Sequence, residues 1–291
     1  METSELIKKV RKIEIKTRGL SKQLFSGEYH SAFKGRGMAF SEVRNYYPGD
    51  EIRTIDWNVT ARTGEPYVKV FEEERELTLM LIVDVSASEN FGTKEQFKRE
   101  LVTEICAILA FSAIQNNDKI GLILFSSEVE LYIPPKKGKS HVLRIIRELI
   151  DFKPKKSGTN ISEAMSYFNS VIKKRSIAFV LSDFIDDDFI KPMKIAARRH
   201  DTIALQVNDK GEYELPKLGL IQITDPETGG TKWIDSTNKR VRLAYSDWWK
   251  KKQDDLEYHF LKSNVDHIQI NTGESYIAPL QRFFKKRESR R

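Results

Sequence analysis

The sequence predicts an α/β fold: a mostly parallel sheet with helices on both faces, preceded by a β-rich extension. Three observations carry this. Apolar runs alternate with segments of helical periodicity from Leu77 to Phe284, the order that builds a parallel sheet with crossover helices. The strongest run, Leu77–Val85, is continuously apolar or β-branched up to Asp84, as befits a strand covered on both faces. Residues 26–76 instead hold Gly27, Gly35, Gly37, Pro48, Gly49, Gly64 and Pro66 among aromatic and charged residues, the punctuation of short strands and turns.

Residues 1–25 read as one charged amphipathic helix. Glu95–Gln115 has helical spacing, with Phe97, Leu101, Ile105, Ile108, Leu109 and Ala113 on one side. Ile120–Phe125 is a second buried strand. Val129–Ile133, next to Pro134 and Pro135, suits an edge strand. His141–Ile150 is a helix that Ser140 is placed to cap. Ile161–Ile172 is another, and Asn160 with Glu163 has capping-box spacing. Ile177–Leu181 and Thr202–Val207 are strands around the helix Phe189–Arg199. Gly219–Asp235 reads as a hairpin, Asp247–Leu261 as a charged helix, His267–Ile270 as a last strand, and Ala278–Phe284 opens a final helix. The domain division that follows is 1–76 for the extension and 77–291 for the α/β domain.

With 291 residues, 40% hydrophobic and 31% charged, the chain is a globular protein with material for a sizeable core. Its apolar runs fall far short of the roughly 20 residues that span a bilayer, and METSELIKKVRKIEIK lacks the apolar stretch of a signal peptide. With one cysteine, Cys106, a reducing, cytoplasmic setting is expected. The net charge of +7 is concentrated: Arg282 to Arg291 hold six basic residues and one acid. No nucleic-acid motif accompanies them, so they read as a solvated end.

Sheets of this type bind ligands at the carboxyl ends of their strands. There the first buried strand runs out into Asp84-Val85-Ser86-Ala87-Ser88, a carboxylate and two hydroxyls at alternate positions. Thr159, in Ser157-Gly158-Thr159-Asn160, precedes a helix, and Asp183 follows the strand Ile177–Leu181. Two carboxylates and three hydroxyls are the oxygen donors that hard divalent cations prefer. Taken singly, Asp84 has a bland reading as a turn residue, and Ser86, Ser88 and Thr159 as helix caps. As a set of five in this order they resemble the metal-ion-dependent adhesion site of von Willebrand factor type A and integrin inserted domains. That resemblance implies a Rossmann-like von Willebrand factor type A-like sheet. It also implies a magnesium or manganese ion, with calcium as a third option, whose coordination a partner's acidic residue completes. Glu89 departs from the pattern, since a small or apolar residue is commoner there.

A longer resemblance lies in the extension. Phe33-Lys34-Gly35-Arg36-Gly37-Met38, Phe40-Ser41-Glu42-Val43-Arg44, Tyr47-Pro48-Gly49-Asp50, Ile55-Asp56-Trp57-Asn58 and Ala61-Arg62-Thr63-Gly64 resemble the signature of the bacterial domain-of-unknown-function 58 proteins. Asp209, Glu212, Leu215-Pro216, Gly219, Asp225, Glu227 and Gly229 fit as well. Membership implies an adaptor or co-chaperone acting with a MoxR-type AAA ATPase. Read from the residues alone, Arg44, Asp50, Arg53, Asp56 and Arg62 among Tyr46, Tyr47 and Trp57 are either ion pairs pinning the extension to the main domain or a partner-docking surface.

The expectation is a metal-dependent protein-binding module and not an enzyme. A metal-dependent hydrolase using an ion on Asp84 and Asp183, and a nucleic-acid binder using the basic termini, are the alternatives. Gly138-Lys139-Ser140 is not a phosphate loop, because Ile133 stands where that motif needs a glycine. The five histidines have no metal-ligand spacing. Asp186, Asp187 and Asp188 are read as acids at the start of the helix Phe189–Arg199. Of Trp248 and Trp249, one or both are assigned to the core.

Overall fold

The computed structural model describes residues 8, 10–17, 38–73, 76–90, 97–156, 158–186, 188–224 and 230–289. Its centre is a six-stranded sheet ordered β10-β7-β6-β3-β4-β5. The strands are β3 (Thr78–Asp84), β4 (Lys119–Phe125), β5 (Val129–Lys136), β6 (Ile177–Ser182), β7 (Asp201–Asn208) and β10 (Asp266–Asn271). β5 runs antiparallel to β4; the other neighbours are parallel. The predicted mostly parallel sheet is present. β5 continues through Pro134 and Pro135, which an edge strand tolerates because one side needs no N–H donor.

Period-two alternation sorts the side chains to two cores. Leu79, Leu81 and Val83 of β3 face a layer with α2 (Lys98–Gln115), α3 (Lys139–Asp151) and α8 (Ile277–Ser289). Met80 and Ile82 face another with α4 (Ile161–Val171), α5 (Ile190–Arg199) and α7 (Lys239–Lys262). Continuous apolar strands are the consequence of this double cover. α2 is buried on nearly every side rather than along one stripe, because α3, α8, Val10 and Ile13 join the sheet in enclosing it.

The extension forms its own two-stranded antiparallel sheet, β1 (Met38–Asn45) with β2 (Tyr67–Glu73), bridged by α1 (Trp57–Thr63). The signature residues have local roles here. Arg44 bonds both oxygens of Asp50 at 2.7 Å. Asp56 caps α1 through the N–H groups of Asn58 and Val59 and pairs with Lys69. Gly49 has φ 112°, a left-handed turn that favours glycine. These pairs lie within the extension and brace it internally. Signature residues 33–37 and most of the expected helix 1–25 lie outside the described residues, although 10–17 are helical.

Several boundaries move. Ser140 is not a cap: Gly138, at φ 103°, turns the chain and α3 starts at Lys139 without a side-chain cap. Asn160 does accept from the Glu163 N–H. α7 begins at Lys239, eight residues before the expected Asp247, because Asn238 caps it. Asp186 accepts from the Ile161 N–H at 2.7 Å, so it serves α4. Asp187 lies outside the described residues. Trp249 is buried and Trp248 is 53% exposed. The hairpin is present as β8 (Leu220–Thr224) and β9 (Thr231–Asp235), and its tip, with Asp225, Glu227 and Gly229, lies outside the described residues. No helix among the described residues is long and apolar enough to cross a membrane.

Candidate metal centre

β3 lies between β4 and β6. The chain leaves β3 toward β4 on one side and later returns to β6 on the other. Such a divergence opens a crevice at the carboxyl ends of the strands. Asp84 ends β3 and Asp183 directly follows β6, so both carboxylates stand at that crevice.

Asp84 is 2% exposed. One oxygen accepts the Ser86 N–H at 2.9 Å, closing a turn as the strand ends. The other accepts the Ser182 hydroxyl at 2.7 Å. The Ser86 and Ser88 hydroxyls lie 3.0 Å apart, both buried. Asp183 is equally buried. Its Oδ1 accepts the Ile185 N–H at 3.1 Å, and its Oδ2 accepts from the Lys98 ammonium at 2.9 Å. The next residue, Phe184, has φ 57°, an unfavourable conformation for a bulky side chain. It is held by the Phe184 N–H to Ser182 Oγ bond and by packing of the ring on Phe189 and Phe260.

Thr159 sits half-buried in the loop ahead of α4. Asn160 N–H bonds the Ser126 carbonyl beyond β4, and Ile161 N–H bonds Asp186 beyond β6. These tie the Thr159 loop to the same end of the sheet. Asp84, Ser86 and Ser88 are linked by hydrogen bonds, Asp183 follows the Ser182 that bonds Asp84, and Thr159 lies in the loop tied to the same end. Glu89 falls in a short 3-10 turn, Ala87–Asn90, and its side chain lies outside the described residues.

Three residues at the site lie outside the predicted set, and of these only Glu212 was singled out in the sequence, as a family-signature residue. Ser182 links the two strands. Lys98, the first residue of α2, is fully buried and joins Asp183 to Glu212 Oε1 at 2.6 Å. Glu212 lies in α6 (Lys210–Tyr213), where its Oε2 accepts the Asp209 N–H in a capping box and its carbonyl accepts the Tyr245 hydroxyl. One signal for Lys98 was present: a lysine in the first turn of an apolar helix works against the helix dipole.

The electrostatics follow from burial. Burial first, and the Asp183 charge second, hold Asp84 well above the usual carboxylate range. Burial also raises Glu212, opposed by Lys98. Among the described residues no ion pair reaches Asp84, and no group of three or more His, Cys, Asp or Glu is placed to hold a metal. The donor set is therefore two carboxylates plus hydroxyls. Oxygen-only donors suit magnesium or manganese with retained waters. Two buried carboxylates with neighbouring hydroxyls fit a divalent cation.

The sequence matches the family described as "Protein of unknown function DUF58" over residues 42–255. An uncharacterized protein of Mycobacterium tuberculosis, Rv1480, is 28% identical over 290 residues, 99% of this chain and 91% of its own. Uncharacterized protein YeaD of Bacillus subtilis is 30% identical over 109 residues, 38% of this chain and 25% of its own. Among solved structures, an aerotolerance-related membrane protein from Bacteroides fragilis has a TM-score of 0.49 at 15% identity, covering 74% of this chain and 100% of that one. The conserved hypothetical protein BatB from Bacteroides thetaiotaomicron has a TM-score of 0.47 at 14% identity, over 73% and 99%.

Proposed function

The chain belongs to the DUF58 family, and from that premise we propose that it is a metal-dependent protein-binding module with a von Willebrand factor type A-like α/β domain. The observation that carries the reading is the pair of buried carboxylates, Asp84 and Asp183, beside the hydroxyls of Ser86 and Ser88 at the sheet's carboxyl end. Asp84, Ser86, Ser88, Thr159 and Asp183 would hold magnesium or manganese. When bound, the ion supplies an electrophilic centre whose coordination a partner's Asp or Glu completes.

The protein's own residues prepare that event. Ser182 and the Ser86 N–H orient Asp84. Lys98 and the Ile185 N–H fix both oxygens of Asp183. A site held this firmly loses little side-chain entropy on binding. The partner in this reading is a MoxR-type AAA ATPase or a client protein delivered to one, with this chain as adaptor or co-chaperone.

The test is capture of the purified ATPase, or of native lysate proteins, by wild type and Asp84→Ala, with magnesium and with EDTA. Capture that needs magnesium and is lost in Asp84→Ala is expected. Wild-type capture that persists undiminished in EDTA, or equal capture by wild type and Asp84→Ala in magnesium, would sink the reading.

A further inference from the structure

We infer that Lys98 is a built-in counter-charge that sets which cation the site accepts and how tightly, with Glu212 as its opposing weight. The inference rests on the metal reading above and deepens it.

Lys98 is a fully buried charge. Its side chain is 0% exposed, and removing an ammonium from water is costly unless strong partners replace it. It begins α2, where the helix dipole disfavours a cation. Asp183 at 2.9 Å and Glu212 at 2.6 Å are among the partners that compensate it. If Lys98 served stability alone, an apolar residue of similar size beside an uncharged partner would do as well. Its bond to Asp183 places a fixed positive charge directly on one of the two buried carboxylates of the site. Glu212 reaches the same ammonium from α6, and Tyr245 of α7 holds the Glu212 backbone.

The physical consequence has opposite signs for the two residues. Lys98 repels an incoming cation and Glu212 attracts it, and both act through a buried region where charges are weakly screened. Without Lys98 the three carboxylates would stand unbalanced. They would then bind any cation more tightly and favour a trivalent over a divalent ion. With Lys98 in place part of that negative charge is already balanced, which favours an ion of lower charge.

The experiment is titration of the full chain with Mn²⁺ and, separately, Tb³⁺, for wild type, Lys98→Gln and Glu212→Gln, with folding checked by circular dichroism. We expect Lys98→Gln to bind Mn²⁺ at least tenfold more tightly and to gain still more for Tb³⁺. Glu212→Gln should bind Mn²⁺ at least tenfold more weakly. Weaker binding in both variants would mark the pair as purely structural and overturn the inference, as would unchanged affinity in both. If Lys98→Gln fails to fold, Glu212→Gln decides: a folded variant with unchanged Mn²⁺ affinity overturns it. No Mn²⁺ binding by wild type removes the metal reading itself and this inference with it; binding by wild type that the variants leave unaltered removes only the role of Lys98.

Discussion

At the amino end of the sheet, Glu76 lies between Lys119 and Lys137 at the surface, and Asp118 accepts the Leu77 N–H just before β3. At the carboxyl end of the same strands, Asp84 and Asp183 are buried beside serine hydroxyls. The same residue types are thus put to different uses. Exposed lysines hold the Glu76 carboxyl down to about 2, whereas burial and a neighbouring carboxylate push Asp84 up. At one end charge is neutralised within the chain and serves the fold. At the other, negative charge is concentrated beyond what Lys98 balances, which suits a site for an external cation.

The largest effect expected from this contrast lies at Ser182. Its hydroxyl donates to Asp84 at 2.7 Å and accepts the Phe184 N–H at 3.1 Å, fully buried. Ser182→Ala leaves a buried carboxylate oxygen and a buried N–H without this partner. The expected loss is about 2–3 kcal/mol in urea unfolding in EDTA, from the cost of unsatisfied buried groups. Magnesium should recover part of it if the ion binds the folded state only. A loss below about 0.5 kcal/mol, the range of ordinary surface changes, would mean that the two strand ends are not energetically linked.

The fold was legible because both faces of the sheet are covered, which makes the interiors of β3, β4 and β6 continuous apolar runs. Asp84 and Asp183 were legible because each ends such a run. Lys98 was not, because its partners lie 85 and 114 positions away, and its place in the first turn of an apolar helix was the one local signal. The start of α7 was missed for a different reason. Its first turns, Lys239 to Ser246, have no buried residue, so apolar periodicity cannot report them. The Asn238 cap was the available signal. Ser140 was assigned from its residue type, but the left-handed Gly138 decided where α3 begins. The Gly49 turn and the Asp56 cap show that some signature residues of the extension have structural work, while Tyr47, Ile52 and Trp57 remain 64%, 68% and 67% exposed.

A smaller effect is expected at Asp118. Burial raises its carboxyl from 3.8 to about 6, against the opposing bond from Leu77 N–H. A folded pKa above the ordinary one means that its contribution is fully present below about 4 and is lost as pH rises through about 6. Asp118→Asn keeps an acceptor for Leu77 and removes the titration. Between pH 4 and 7 wild type should lose on the order of 1 to 2 kcal/mol relative to the variant. Parallel pH profiles of urea unfolding for the two proteins would refute this. The effect should be indifferent to magnesium, because the group lies at the end away from the site.

The smallest effect is expected at Glu76, and it sharpens the contrast most directly. Glu76→Gln is the same chemical change as Glu212→Gln, made at the opposite end of the sheet. The Glu76, Lys119 and Lys137 side chains are 46%, 45% and 30% exposed, so water and salt already screen the pairs. A slight drop in thermal midpoint at low salt should vanish at about 0.5 M salt, where the Debye length is only about 4 Å. Mn²⁺ affinity should not change. β3 is seven residues long, so the two ends are roughly 20 Å apart at about 3.3 Å per residue, about two Debye lengths at physiological salt. A Glu76→Gln variant that weakened Mn²⁺ binding as much as Glu212→Gln would show that net charge, and not the buried arrangement around Lys98, governs the cation.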